Sequence, residues 1–107
     1  MLRETTVVIV GSGLAGVSLA LKLADKRIDC LILTKSQLAS GSSIWAQGGI
    51  AAALDPKDSF EAHIQGTLQA GAGLCHESAV RTVVEGAPES ISWLRSAGVD
   101  FDGQDDF

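Results

Sequence analysis

"TTVVIVGSGLAGVSLALKLADKRIDCLILTK", residues 5–35, decides the fold. Residues 5–10 form a short, continuous β-branched run, as expected of a strand buried on both faces of a parallel sheet. The run passes directly into "GSGLAG", which places Gly11, Gly13 and Gly16. "LAGVSLALKLADK" then sets Ala15, Leu19, Ala20, Leu23 and Ala24 at helical spacing, with Lys22 and Lys26 toward the outer end. "DCLIL", residues 29–33, is the second strand. Strand, glycine turn, helix and strand fit within about thirty residues, the start of a dinucleotide-binding βαβ fold.

Each glycine has a separate task in such a turn. Gly11 lets the chain leave the strand sharply, Gly13 leaves room for a pyrophosphate, and Gly16 allows close packing of helix on strand. The N–H groups and dipole at the helix N-terminus attract the phosphates. The competing reading of the same residues is an ordinary βαβ turn without ligand. An acidic residue is expected at the end of the second strand to bond the adenosine ribose, but Thr34 and Lys35 stand there. Thr34 can bond a ribose hydroxyl through its side chain. Lys35 either meets a 2′-phosphate, which would mean NADP, or points at solvent and binds through its backbone. Spacing alone does not choose.

Composition sets the outer bounds. The 107 residues are 46% hydrophobic and 20% charged, a globular balance with room for one modest core. A net charge of −5 offers no footprint for nucleic acid. No apolar run has the roughly 18 residues of a membrane span, and no secretory pattern opens the chain, so the expectation is cytoplasmic. Cys30 and Cys75 lack metal-ligand spacing and are expected as reduced, mostly packed thiols. Twelve glycines against two prolines favour tight turns and close backbone approach. The acidic ending "FDGQDDF" suggests a fragment.

A second block follows the βαβ start. "SGSSIWAQGGIAA", residues 40–52, is neither a clean amphipathic helix nor an alternating strand. Taken alone, it reads as a Gly/Ser loop packed on protein, with Trp45 filling core. The combination of "VVIVGSGLAGVSLAL", "LILTK" and "GSSIWAQGGIAAALD" resembles the N-terminus of a flavoprotein family. That family includes succinate dehydrogenase, fumarate reductase and L-aspartate oxidase. The likeness extends to "DSFEAHIQGTLQAGAGLC" and "SWLRSAGVDFD", and is nearest to the L-aspartate oxidase branch.

The resemblance implies an α/β, Rossmann-like FAD-binding domain, present here in part. It comprises a βαβ unit at 5–34, a flavin-contacting loop at 35–52 and a helical segment at 58–98. The rest of the domain, a capping domain and the catalytic residues would lie beyond Phe107. It further implies FAD contacts at Ser12, Gly13, Leu14 and Ala15 for the pyrophosphate, flanked by Gly11 and Gly16. Thr34 and Lys35 fall at the ribose end. Ser42, Ser43, Ile44, Trp45, Ala46, Gln47, Gly48 and Gly49 line the path to the ring, where small residues let backbone lie against a flat cofactor. Relatives with covalent flavin carry a histidine where this chain has Ser42, so the FAD is expected to be noncovalent. The implied activity is oxidation of L-aspartate to iminoaspartate with oxygen or fumarate as acceptor, linked to quinolinate synthase and NAD synthesis. Two alternatives remain: a subunit of a fumarate reductase or succinate dehydrogenase type, and a nucleotide-binding module without catalysis.

Beyond the loop the residues read as scaffold. A helix is expected over residues 58–69, with Asp58 as cap, Glu61 closing a capping box and Phe60, Ile64 and Leu68 on one face. Gly71 and Gly73 should end it. Further helices are expected from Glu77, carrying Ala79, Val80, Val83 and Val84, and after Pro88, burying Ile91, Leu94 and Trp93 until Gly98. His63 and His76 read as structural histidines, not catalytic bases. Asp100, Asp102, Asp105 and Asp106 form an acidic cluster without a coordination geometry.

Overall fold

The computed structural model describes residues 2–46 and 49–102. They fall into two compact units, Met1–Gly48 and Gly49–Phe107. In the first, β1 (Val7–Val10), α1 (Leu14–Asp25) and β2 (Cys30–Leu33) form a βαβ unit, followed by the short helix α2 (Ser42–Trp45). The strands are parallel, with Val7 opposite Cys30 and Val10 opposite Leu33. Parallel neighbours joined through a helix are what the sequence pattern required.

Strand β1 is shorter than the predicted run, and only one of its faces is covered. Ile9 is 6% exposed, whereas Val8 and Val10, on the opposite face, are 53% and 85% exposed. Helix α1 packs on one side of the pair, and no other described element of this unit lies on the second. The β-branched sequence suits two-sided burial, and the unit supplies one side. Similarly, α1 half-buries Gly16, Ala20 and Leu23 while leaving Leu14, Leu19 and Leu21 exposed.

Helix α1 ends without glycine. Arg27 takes the left-handed conformation at φ 56°. The N–H of Arg27 donates to the Ala24 carbonyl (2.8 Å) and that of Ile28 to the Leu23 carbonyl (2.9 Å). This is the Schellman pattern, completed by the apolar pair Leu23 and Ile28.

The second unit holds α3 (Phe60–Ala70), α4 (Glu77–Glu85) and α5 (Ala87–Ser96). Its centre is Ile64, fully buried, with Val84 4% exposed. The predicted cap of α3 is displaced by one residue. Ser59, not Asp58, is the N-cap, and its Oγ accepts from the Ala62 N–H at 3.1 Å. Asp58 instead accepts from the Ser59 N–H. A cap at Ser59 moves Glu61 out of the capping-box position, and its carboxylate reaches Arg81 of α4 at 3.2 Å. Arg81 also meets Glu77 and Glu85 one turn either side. Helix α3 ends at Gly71 in right-handed geometry, and the left-handed residues are Ala72 and Gly73. His76 is the N-cap of α4, Pro88 sits in the first turn of α5, and Gly98 (φ 95°) follows its end. Both cysteines are free and half-buried. No helix among the described residues is long and apolar enough to cross a membrane.

Candidate functional site: a glycine turn facing a helix N-terminus

The turn between β1 and α1 gathers most of the predicted phosphate residues. Gly11 continues the sheet by donating its N–H to the Leu33 carbonyl (2.8 Å), then turns the chain at φ 110°. A side chain is disfavoured there on backbone grounds alone. At Gly16 the obstacle is packing. A Cβ would run into the Gly11 carbonyl oxygen and lie 3.4 Å from Ile9 Cγ2. Glycine at 11 shapes the turn, and glycine at 16 lets helix and strand approach.

Gly13 has neither reason. Its backbone is extended at φ −73° and ψ −178°, which any residue adopts. A Cβ at Gly13 would have Ser43 Oγ as its nearest neighbour, at an ordinary 3.5 Å. The polypeptide itself does not demand glycine here. Glycine leaves open a space beside the turn of the kind that the pyrophosphate of a dinucleotide occupies in such a fold.

The surroundings suit an anion. Gly13 is the N-cap of α1 and offers no side-chain acceptor, and the first turn carries no acidic residue. The N–H groups of Ala15 and Gly16 have no carbonyl to bond within the helix, and the helix dipole adds partial positive charge at that end. Ser12, Leu14, Val17, Leu38, Ala39, Gly41, Ser43 and Ile44 line a cavity of about 270 Å³ beside it. This is slightly below the roughly 300–1,000 Å³ of complete small-molecule sites, as suits one section of an extended one.

Hydroxyl groups join the predicted segments. Ser12 Oγ donates to Thr34 Oγ1 at 3.1 Å, so the turn and the end of β2 meet. The Leu14 N–H donates to Ser43 Oγ at 3.1 Å, which brings α2 to the start of α1. Lys35 is exposed, next along from Thr34. Residues 42–45, expected as loop, form one helical turn, and Trp45 is 80% exposed rather than filling core. Ala46 follows it in extended conformation. Gln47 and Gly48 lie outside the described residues. Gly49 begins the second unit, where a Cβ would meet nothing within 4 Å.

A larger cavity of about 610 Å³ lies within the second unit, lined by His63, Cys75, His76, Val80, Val84 and Leu94 among others. His63 is half-buried and His76 exposed. Apolar side chains, Val80, Val83, Val84, Ile91 and Leu94 among them, make up much of its wall. Among the described residues no group of histidine, cysteine or acidic side chains is placed to hold a metal. Asp105 and Asp106 of the acidic cluster lie outside the described residues.

The decisive comparison is a family model: residues 6–107 match the FAD binding domain. The chain belongs to the FAD binding domain family. The family takes in the succinate dehydrogenase and fumarate reductase flavoproteins. L-aspartate oxidase of Pseudomonas aeruginosa is 50% identical over 95 residues, covering 89% of this chain and 18% of the relative. Sdh1 of Mycobacterium smegmatis superposes with a TM-score of 0.86 at 27% identity, over 97% of this chain and 18% of that one. The E. coli quinol fumarate reductase FrdA gives 0.84 at 27% identity, over the same shares. The chain thus spans about a fifth of the length of the relatives it matches. The α/β reading, the family and FAD as its cofactor all stand.

Proposed function

We propose that this FAD binding domain is the N-terminal cofactor-binding portion of an L-aspartate oxidase. The supporting observation is the space left at Gly13. No neighbouring atom requires it, and it borders a helix N-terminus free of acidic side chains. In this reading Ser12 to Ala15 hold the pyrophosphate through backbone N–H groups, and Gly11 and Gly16 set the turn. Thr34 and Lys35 hold the adenosine ribose. Ser42 to Gly49 extend toward the flavin ring. FAD, when bound, supplies a two-electron acceptor for oxidation of L-aspartate to iminoaspartate, and oxygen or fumarate reoxidises it.

The domain's own residues bind and orient. Its serine at position 42 has no imidazole with which to form a histidyl bond, so the flavin is held noncovalently. Proton transfer and substrate binding are assigned to residues outside this chain. The enzyme is placed in the cytoplasm, passing iminoaspartate on to quinolinate synthase. A fumarate reductase or succinate dehydrogenase subunit is the second reading, favoured by the superposition on Sdh1 and FrdA. The higher identity to L-aspartate oxidase, 50% against 27%, favours the first.

Anaerobic mixing of the flavin-loaded, full-length protein separates them. L-aspartate should bleach the flavin absorption and succinate should not. Bleaching by succinate alone would transfer the assignment to the dehydrogenase type, and bleaching by neither would support the module without catalysis.

A further inference from the structure

The first unit is joined across long stretches of chain by two side-chain hydrogen bonds. One, Ser12 to Thr34, spans 22 residues, and the other, Leu14 to Ser43, spans 29. The second has a particular logic. The N-cap Gly13 has no side chain with which to accept from the first turn of α1, and residues at that position commonly supply such an acceptor. The acceptor comes instead from α2, far along the sequence. Glycine at 13 clears room for a ligand and leaves α1 uncapped, and Ser43 takes over part of the missing cap.

We propose that Ser43 is a positioning residue. Its hydroxyl holds α2 against the start of α1, so that a dinucleotide seated at the glycine turn finds residues 42–46 already set for its far half. The proposal rests on the FAD reading and adds to it a division of roles. The turn at residues 11–16 holds the diphosphate, and Ser43 fixes the segment leading toward the ring. Gly41, preceding α2, also lacks a capping side chain, and a four-residue helix has little stability of its own. The Ser43 bond is therefore a main constraint on where that segment lies.

The test compares FAD with ADP, which carries the adenosine and diphosphate but no ring. Ser43→Ala and Ser43→Thr are made in the full-length polypeptide, FAD is titrated by fluorescence quenching and ADP by calorimetry, and circular dichroism checks folding. Ser43→Ala should weaken FAD about fivefold, about 1 kcal/mol at 1.4 kcal/mol per tenfold, and leave ADP within about twofold. Ser43→Thr keeps the hydroxyl and should restore FAD binding to within about twofold of the parent. Equal losses of FAD and ADP would make Ser43 a direct phosphate ligand and overturn the positioning role. Unchanged FAD affinity in Ser43→Ala would overturn it as well. Failure of the FAD reading itself shows differently: Gly13→Val would then retain both ligands.

Discussion

Replacing Gly16 with alanine tests the packing of the turn independently of any ligand. The new Cβ would overlap the Gly11 carbonyl oxygen and lie 3.1 Å from the Gly11 carbonyl carbon. Gly11 cannot easily retreat, because its N–H is bonded to Leu33 at 2.8 Å and its φ is 110°. Forcing a methyl group into such a contact costs about 1–3 kcal/mol. Alanine's better helix propensity offsets up to about 1 kcal/mol of this. A net loss of about 1–2 kcal/mol is expected, read as a lower urea midpoint of the flavin-free, full-length protein by circular dichroism. Gly13→Ala is the control. With φ −73° and an ordinary 3.5 Å contact, it should cost less than about 1 kcal/mol, the poorer capping by alanine included. If Gly16→Ala unfolds at the parent's midpoint, or Gly13→Ala loses as much as Gly16→Ala, the assignment of separate roles to these glycines is wrong.

Three further outcomes follow from local geometry and from the residue at position 42. Arg27→Gly relieves a left-handed φ of 56° at the end of α1 and should raise stability by about 1 kcal/mol in chemical denaturation. The Glu61 carboxyl is held below its ordinary value of 4.5, first by the hydrogen bond from Gln65 and then by Arg81. A depressed pKa contributes stability that is present above the unfolded value and lost as pH falls through the folded one. Parent and Glu61→Gln should therefore differ slightly in urea midpoint at neutral pH and converge below about pH 4.5, and a constant difference across that range would contradict the ion pair. Acid precipitation of the loaded protein should release all the flavin, since Ser42 has no imidazole; colour remaining with the polypeptide would contradict noncovalent binding.

The βαβ start was legible because three signals agree: a β-branched run, glycines at 11, 13 and 16, and then apolar residues at helical spacing. Burial on both faces of β1 was also written in the residues, but it requires partners that this unit does not include. The end of α1 was hidden, since Arg27 occupies a conformation usually marked by glycine. Asp58 and Ser59 are both good caps, and adjacent candidates differ only in backbone geometry that sequence does not carry. Helix α2 spans four residues, too few for a periodicity to register. The bonds from Ser12 to Thr34 and from Leu14 to Ser43 are the part of the site least visible in advance. Any hydroxyl in the segment could have served, and only the folded turn selects which one meets the helix.

We place FAD against the turn at Gly13, and a flavin titration of Gly13→Val in the full-length protein tests that placement. A β-branched side chain there occupies the space left for the diphosphate, and its Cβ meets Ser43 Oγ at an ordinary 3.5 Å. FAD affinity should fall at least about tenfold, or about 1.4 kcal/mol, with an unaltered circular dichroism spectrum. Full flavin occupancy at parental affinity in Gly13→Val would contradict it.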